Sequence, residues 1–473
     1  MDTNSVLEIF KEITTIPRGS GNEGPIKEWL KAWALAHGLE CKTDRAGNVL
    51  ITRKASEGKE DVPTIVLQAH QDMVCEKDNS SNHDFLHDPI DYVIRDGWMI
   101  AENTTLGADD GIGIAACLAL LEDKKPTGKI ECLFTVSEET GMDGAFALKK
   151  GFFTGKTLIN LDSEDEGQLF IGCAGGIHTD IRFSIGKESV REGYEALDIS
   201  IKGGIGGHSG DDINKGRVNA VQELARFLNS ELPHGLQLVS INGGGKSNAI
   251  AREAEAVIAV PDAANTTKRF RKFGRELSSE YRVTDPDIKA VCAPAQADIA
   301  MDASSAEKII RSLFTCPHGV EAMSQDIADL VETSTNLASV KTLPDDTVFV
   351  VTSQRSSVIS KRDMIAAKVA ANFAWTGAET DHNNAYPGWE PNVDSPILGK
   401  SVEAYRRLFS QEPEVKAIHA GLECGLFLEK FKDLDMISFG PTLRGVHAPG
   451  ERLDLASLDK FVKLLDDLVC NFK

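Results

Sequence analysis

The residues with the strongest chemical character stand at the ends of apolar runs. Thr64–Leu67 leads into His70-Gln71-Asp72, Lys129–Val136 into Ser137-Glu138-Glu139-Thr140, and Thr157–Leu161 into Asp162. Asp109 sits in Leu106-Gly107-Ala108-Asp109-Asp110-Gly111, where glycine lets a turn aim a carboxylate inward. Carboxylate oxygens and imidazole nitrogens are what hard or borderline divalent cations take, and two cations about 3.5–4 Å apart need an acid between them. His70, Asp109, Glu139 and Asp162 supply such donors, and a second histidine has to come from farther along the chain. Glu138 and Glu139 are adjacent and cannot both bind alike, so the pair suits one ligand and one proton shuttle working on a metal-bound water. Taken singly, each motif is ordinary. H-x-D is more often a surface histidine beside an aspartate, paired glutamates a solvated face, and an acid pair before glycine a turn or helix cap. Their placement counts against those readings, because uncompensated charge at the end of a buried strand is costly.

The elements that would position these groups can be read from hydropathy. Continuous apolar runs bounded by polar residues suit strands buried on both faces, as in a parallel or mixed sheet covered by helices. Ligands of such sheets gather outside the carboxyl ends of the strands, so three endings can converge. Gly111–Glu122 predicts a helix opened by Asp109-Asp110. The last 80 or so residues return to this style, with a helix over Ser395–Ser410, strands at Val415–Ile418 and Met436–Phe439, and a closing helix apolar at Leu458, Phe461, Val462, Leu465, Leu468 and Val469. The expected class is therefore α/β, with a discontinuous catalytic domain at 1–186 and 395–473. The middle, 187–394, reads as an inserted α+β lid of two βαββαβ, ferredoxin-like passes. The first runs through Ala196–Ile201, a helix Arg217–Leu228, a hairpin around Leu238–Val260, a helix Lys268–Tyr281 and Ile288–Val291. The second starts at Ala297 and continues through Ala306–Phe314, Ala338–Ser353 and Lys361–Ala374.

Composition narrows the partners. With 473 residues and a net charge of −21, the chain repels phosphate backbones and anionic lipid, so neither nucleic acid nor a membrane surface is expected. No run approaches the roughly 18 apolar residues of a membrane-spanning helix, and the first residues lack a signal peptide's pattern, so a cytoplasmic protein is expected. Nine cysteines without C-x-x-C spacing argue against a disulfide framework or thiolate site and read mostly as small core hydrophobes.

Five motifs in order carry a resemblance: His70-x-Asp72, Gly107-Ala108-Asp109-Asp110-Gly111, Glu138-Glu139-Thr140-Gly141, Leu161-Asp162-Ser163-Glu164 and Val446-His447-Ala448-Pro449. The chain resembles, over essentially its whole length, the clan-MH zinc metallopeptidases, and among them the aminoacyl-histidine dipeptidases of the peptidase D, carnosinase-like type. That resemblance implies two Zn2+ ions, replaceable by Mn2+ or Co2+: one held by His70 and Asp162, the other by Glu139 and His447, with Asp109 bridging. It makes Glu138 the general base, has Asp72 fix the tautomer of His70, and implies a cis peptide at Asp109–Asp110. Aspartate at 162 leans toward peptidases that need a free substrate amine. In the lid, His208 of Gly206-Gly207-His208-Ser209-Gly210 would stabilise the oxyanion. Asn248 and Arg355 would hold the substrate carboxylate. His419 is a further pocket candidate, weighed evenly against a structural role; His83 and His87 stay unassigned. The expected activity is hydrolysis of dipeptides, aminoacyl-histidine ones foremost. The same centre would equally serve a tripeptidase or an N-acyl amino acid deacylase, and a binding protein without turnover is a remote alternative. A homodimer stays open, as does whether His208 serves its own or a partner's site.

Overall fold

Residues buried on both sheet faces form the centre of the architecture. The computed structural model describes residues 1–473. Ile65–His70 and Ile130–Thr135 are buried at every position, and they pair in parallel. Thr157–Asn160 and Asp435–Ser438 extend the same parallel set. Antiparallel strands flank it, giving an eight-stranded sheet in the order Glu40–Thr43, Val49–Arg53, Ile130–Thr135, Ile65–His70, Thr157–Asn160, Asp435–Ser438, Gln168–Cys173, Glu414–Ile418. The parallel strands all end on one side, so His70, Glu138, Glu139 and Asp162 emerge together. The helix Ala108–Glu122 lies against Ile65–His70 and is covered in turn by Thr3–Ile13. It is buried on all sides from Asp110 to Leu121, which is why its sequence is small and apolar rather than amphipathic. Its first turn is irregular: the Asp109–Asp110 peptide is cis, and neither residue has helical dihedrals. A smaller sheet, Leu443–Arg444, Arg452–Asp454, Trp98–Ala101 and Tyr92–Arg95, ties the His447 loop to the segment that precedes Asp109.

The chain divides into two compact units: Met1–Gly172 with Trp389–Ala417 and Leu422–Lys473, and Cys173–Gly388 with Ile418–Gly421. The cuts lie at 172/173 and 388/389, whereas the change of sequence character lies at 186/187 and 394/395. The reason is the strand Gly175–Ser184, which pairs along its length with Thr347–Ser356 on one side and Glu379–Tyr386 on the other.

That strand also corrects the expected second pass. Its opening strand is Gly175–Ser184, and nothing near Ala297 plays that part; the first half of the unit is inserted between this strand and the helix Ala303–Thr315. The short strand Ile299–Met301 instead pairs with Lys187–Ser189, closing a ribbon where the inserted half enters and leaves. Pairing of this kind is non-local, so order along the chain could not reveal it. Each half then shows the ferredoxin-like order 4-1-3-2: Lys289–Ala295, Glu195–Lys202, Ala254–Val260, Gln237–Gly244 in one, and Glu379–Tyr386, Gly175–Ser184, Thr347–Ser356, Val331–Leu343 in the other. The halves join second strand to second strand, Asn242–Gly244 antiparallel to Ser339–Lys341, making one sheet. Helices Ala220–Glu231, Ala263–Glu280 and Ala303–Thr315 pack Leu224, Phe227, Phe270 and Ile309 into its core.

Five cysteines are buried, as small core residues should be, but Cys41 and Cys75 are exposed. No helix is long and apolar enough to cross a membrane.

Candidate functional site

Beyond the carboxyl ends of the parallel strands, five expected donors meet. His70 Nε2 lies 3.0 Å from Asp109 Oδ1 and 3.4 Å from Asp162 Oδ1. His447 Nε2 lies 3.3 Å from Asp109 Oδ2 and 2.9 Å from Glu139 Oε2. Asp109 thus offers one oxygen to each histidine and its acid partner. His70 Nδ1 faces the Asp72 backbone carbonyl at 3.1 Å and its carboxylate at 3.4 Å, leaving Nε2 for the cluster. Asp72 has a second task that its motif did not announce. It accepts the backbone N–H groups of Glu138 at 3.0 Å and Glu139 at 3.2 Å and the Ser20 hydroxyl at 2.8 Å, pinning the paired glutamates. Its carboxyl is held down at about 2: burial opposes ionisation, and His70, Ser20 and the Glu138 amide outweigh it.

The electrostatics call for cations. His447 is pushed up to about 11 by Asp109 and Glu139. Burial disfavours a charged His70, yet Asp162 and Asp109 hold it well above its usual value. Burial, with the Asp109 charge, lifts Asp162 to about 7, and it lifts Glu138 well above the carboxylate range among Asp162, Glu423 and Glu139. Asp109 is held well below that range, hydrogen bonds with His447 and His70 overcoming its burial. Glu139 Oε1 is buried with no hydrogen-bond partner. Three carboxylates, one of them with an orphaned oxygen, and two imidazole nitrogens form a donor set that fits divalent metal. Asp110, which no motif marks as part of the cluster, also has an oxygen within 4.8 Å of a His70 ring nitrogen and an Asp162 oxygen. Its Oδ1 accepts the Gly113 N–H at 3.1 Å, which ties it to the start of the helix.

Beneath the cluster lies a polar network that sequence reasoning missed. Glu423, fully buried, accepts from Gln68 Nε2 at 2.6 Å and from the Thr135 hydroxyl at 2.7 Å, and Gln68 Oε1 accepts from Asn160 Nδ2 at 2.6 Å. Gln68, Thr135 and Asn160 lie on the strands that lead to His70, Glu138 and Asp162, while Glu423 opens the helix Glu423–Lys430. Burial raises the Glu423 carboxyl from 4.5 to about 8. The folded metal-free protein therefore holds a proton that the unfolded chain releases, so stability falls as pH rises from near 4.5 and levels off near 8. Glu423→Gln should flatten that decline. Urea melts of apo protein at pH 5, 6.5 and 8 measure it, and an unchanged slope in the variant would contradict the assignment.

The second unit gathers the other expected residues. His208 Nε2 lies 3.5 Å from Arg355 Nη2, and its Nδ1 faces Asp211 Oδ2 at 3.2 Å. Arg355, 8% exposed, donates to Tyr386 Oη at 3.3 Å, and its Nε has no partner. His419 is buried, with Nε2 2.7 Å from Ser334 Oγ and Nδ1 without a partner. Burial, with Arg355 and His208 nearby, holds it down at about 3. Asn248 is exposed; its carbonyl accepts the Ser209 N–H at 2.8 Å, and Asn336 Nδ2 braces the same loop through the carbonyl of Ala249 at 2.9 Å. Asp211, Ser334, Asn336 and Tyr386 had no motif to mark them. Gly176 owes its identity to Tyr386, whose ring a Cβ there would meet at 2.6 Å. His83 and His87 stay in the polar loop of the first unit, His87 Nδ1 2.8 Å from Asp84.

The sequence pattern of Peptidase family M20/M25/M40 matches residues 66–471. The chain belongs to this family. As an M20 peptidase it is a hydrolase of peptide bonds that uses divalent metal. It is 39% identical over 467 residues to the cytosol non-specific dipeptidase of Escherichia coli (strain K12), covering 98% of this chain and 96% of that one. Its structure is similar to that of the aminoacylhistidine dipeptidase from Vibrio alginolyticus, with a TM-score of 0.91, 36% identity and coverage of 99% and 96% of the two chains. Aminopeptidase PepT from Bacillus cereus ATCC 10987 shares the fold of the M20 peptidase at a TM-score of 0.58 and 17% identity, over 99% and 98% of the chains.

Proposed function

We propose that this M20 peptidase is a cytoplasmic dipeptidase that hydrolyses dipeptides with a free amine, aminoacyl-histidine dipeptides among them, at a two-metal centre. The observation that carries the reading is the split carboxylate of Asp109, with one oxygen beside His70 and Asp162 and the other beside His447 and Glu139. In this reading His70 and Asp162 would hold one Zn2+ and Glu139 and His447 the other, with Asp109 available to both; Mn2+ or Co2+ would suit the same oxygen-rich donors. Such ions, when bound, polarise the scissile carbonyl and bring water toward a pKa of about 7.

The protein's own groups do the rest. Glu138 takes a proton from the attacking water as its oxygen adds to the carbonyl carbon, then delivers that proton to the leaving nitrogen as the C–N bond breaks. Asp72 keeps Glu138 in place through its backbone amide and keeps His70 in the tautomer that presents Nε2. His208 donates to the oxyanion, while Arg355, Asn248 and His419 receive the substrate carboxylate. The names of two relatives support the substrate class: one is a non-specific dipeptidase and one an aminoacylhistidine dipeptidase.

A panel of free-amine dipeptides including β-alanyl-histidine, N-acetylated amino acids and tripeptides tests the reading, run beside metal analysis of the purified protein. Dipeptides should be cleaved fastest. A preference for tripeptides or N-acyl amino acids would transfer the same centre to another substrate, and metal without any turnover would leave only a binding protein.

A further inference from the structure

Two buried residues outside every motif hold the loop that delivers Asp109. Glu451, 2% exposed, accepts four consecutive backbone N–H groups: Leu106 at 2.7 Å and Gly107 at 2.9 Å on Oε2, Ala108 at 2.8 Å and Asp109 at 3.3 Å on Oε1. These amides open the helix Ala108–Glu122, where the macrodipole favours an anion and no backbone partner exists. Arg18, also 2% exposed, enters from the other side and donates to the carbonyls of Gln71 at 3.1 Å, Asp72 at 2.7 Å and Gly107. The guanidinium explains two glycines. A Cβ at Gly107 would lie 2.6 Å from Arg18 Nη2, and one at Gly111 would lie 2.5 Å from it. Gly107 also has φ +68, so its role is both conformational and steric.

The connections reach every metal-bearing segment but two. Arg18 joins the turn after His70 to the Asp109 loop. Glu451 joins the Asp109 loop to the one that carries His447 four residues earlier, and the backbone repeats the link through Gly450 N–H to Thr104 carbonyl at 2.9 Å and Ala101 N–H to Glu451 carbonyl at 3.0 Å. His447 itself has φ +62, a left-handed backbone that a non-glycine residue keeps only when its surroundings hold it.

The geometry points to Glu451 and Arg18 as positioning residues that set the separation of the two metal positions by fixing Asp109 between them. This inference rests on the two-metal reading above. Neither residue touches substrate. Glu451 acts on the position shared by Asp109, Glu139 and His447, while Asp162 is anchored on the central sheet, independent of it. Removing the carboxylate leaves four amide donors buried without an acceptor, and the loop must move to find water.

Calorimetric titration of metal-free protein with Zn2+ tests the inference, with circular dichroism confirming the apo fold and kcat and KM measured on one dipeptide. Wild type should bind two equivalents. Glu451→Gln, which keeps the volume and one acceptor, should bind one equivalent normally and the second about 10–100-fold more weakly, with kcat falling and KM nearly unchanged. Arg18→Lys, which keeps the charge and loses the fork, should do the same to a smaller degree. Two equivalents at wild-type affinity in both variants would overturn the positioning role. A wild-type protein that takes up fewer than two equivalents would overturn the two-metal reading and the inference with it.

Discussion

Glu138→Gln should retain its metal and its fold and lose turnover by about 10²–10⁴-fold, the range a positioned general base contributes. The geometry behind this result is the contrast between two neighbouring glutamates. Glu139 points into the cluster, 2.9 Å from His447. Glu138 has its amide fixed by Asp72 at 3.0 Å, and burial beside Asp162 and Glu423 raises its proton affinity. A carboxylate in such surroundings holds a transferred proton more tightly than a surface glutamate does. The amide of glutamine fills the same space and cannot take the proton. Metal content by elemental analysis, with steady-state kinetics on one dipeptide, separates the two glutamates: Glu139→Gln should weaken metal binding, and Glu138→Gln should not. Wild-type turnover in a fully metallated Glu138→Gln protein would remove the base from the mechanism.

His208→Ala is expected to lower kcat by about 100-fold or more with little change in melting temperature. The stability half follows from exposure, since the His208 side chain is 32% exposed and packs no core. The catalytic half follows from its neighbours. In the tautomer whose Nδ1 accepts the Asp211 backbone N–H at 3.3 Å, the ring proton is on Nε2, 3.5 Å from the Arg355 guanidinium. Two donors so close cannot satisfy each other, and both are satisfied by an anionic oxygen. Asp211→Asn should therefore produce a smaller loss of kcat, because the imidazole stays and only its orientation loosens. A drop of no more than about twofold in His208→Ala would be too small for an oxyanion donor.

Much of the site was readable because its donors end buried strands. His70, Glu138, Glu139 and Asp162 each follow an apolar run, and the parallel pairing of those runs is what such runs favour. His447 was legible only through its motif's resemblance, since it stands in a loop with no strand before it to give a direction. Glu451 and Arg18 left no sign at all: one looks like a surface acid after Pro449-Gly450, the other like a loop cation, and only the fold buries both. Gly107 and Gly111 were noticed for backbone freedom, whereas the space taken by Arg18 is the larger reason for both. In the second unit the helices and hairpins fell close to their expected places. The error lay in ownership: Gly175–Ser184 looks like the tail of the first sheet by sequence proximity, and its partners are about 160–210 residues away.

The seam between Asn242–Gly244 and Ser339–Lys341 makes like meet like, with two copies of one design joined edge to edge in antiparallel register. Separate subunits meeting this way form a self-complementary pair whose population depends on how much protein is present. Here both copies belong to a single polypeptide, so the encounter is intramolecular and its effective concentration is set by the tether. Dilution cannot separate them, and this joined sheet should persist unchanged at the lowest concentrations a cell or an assay provides.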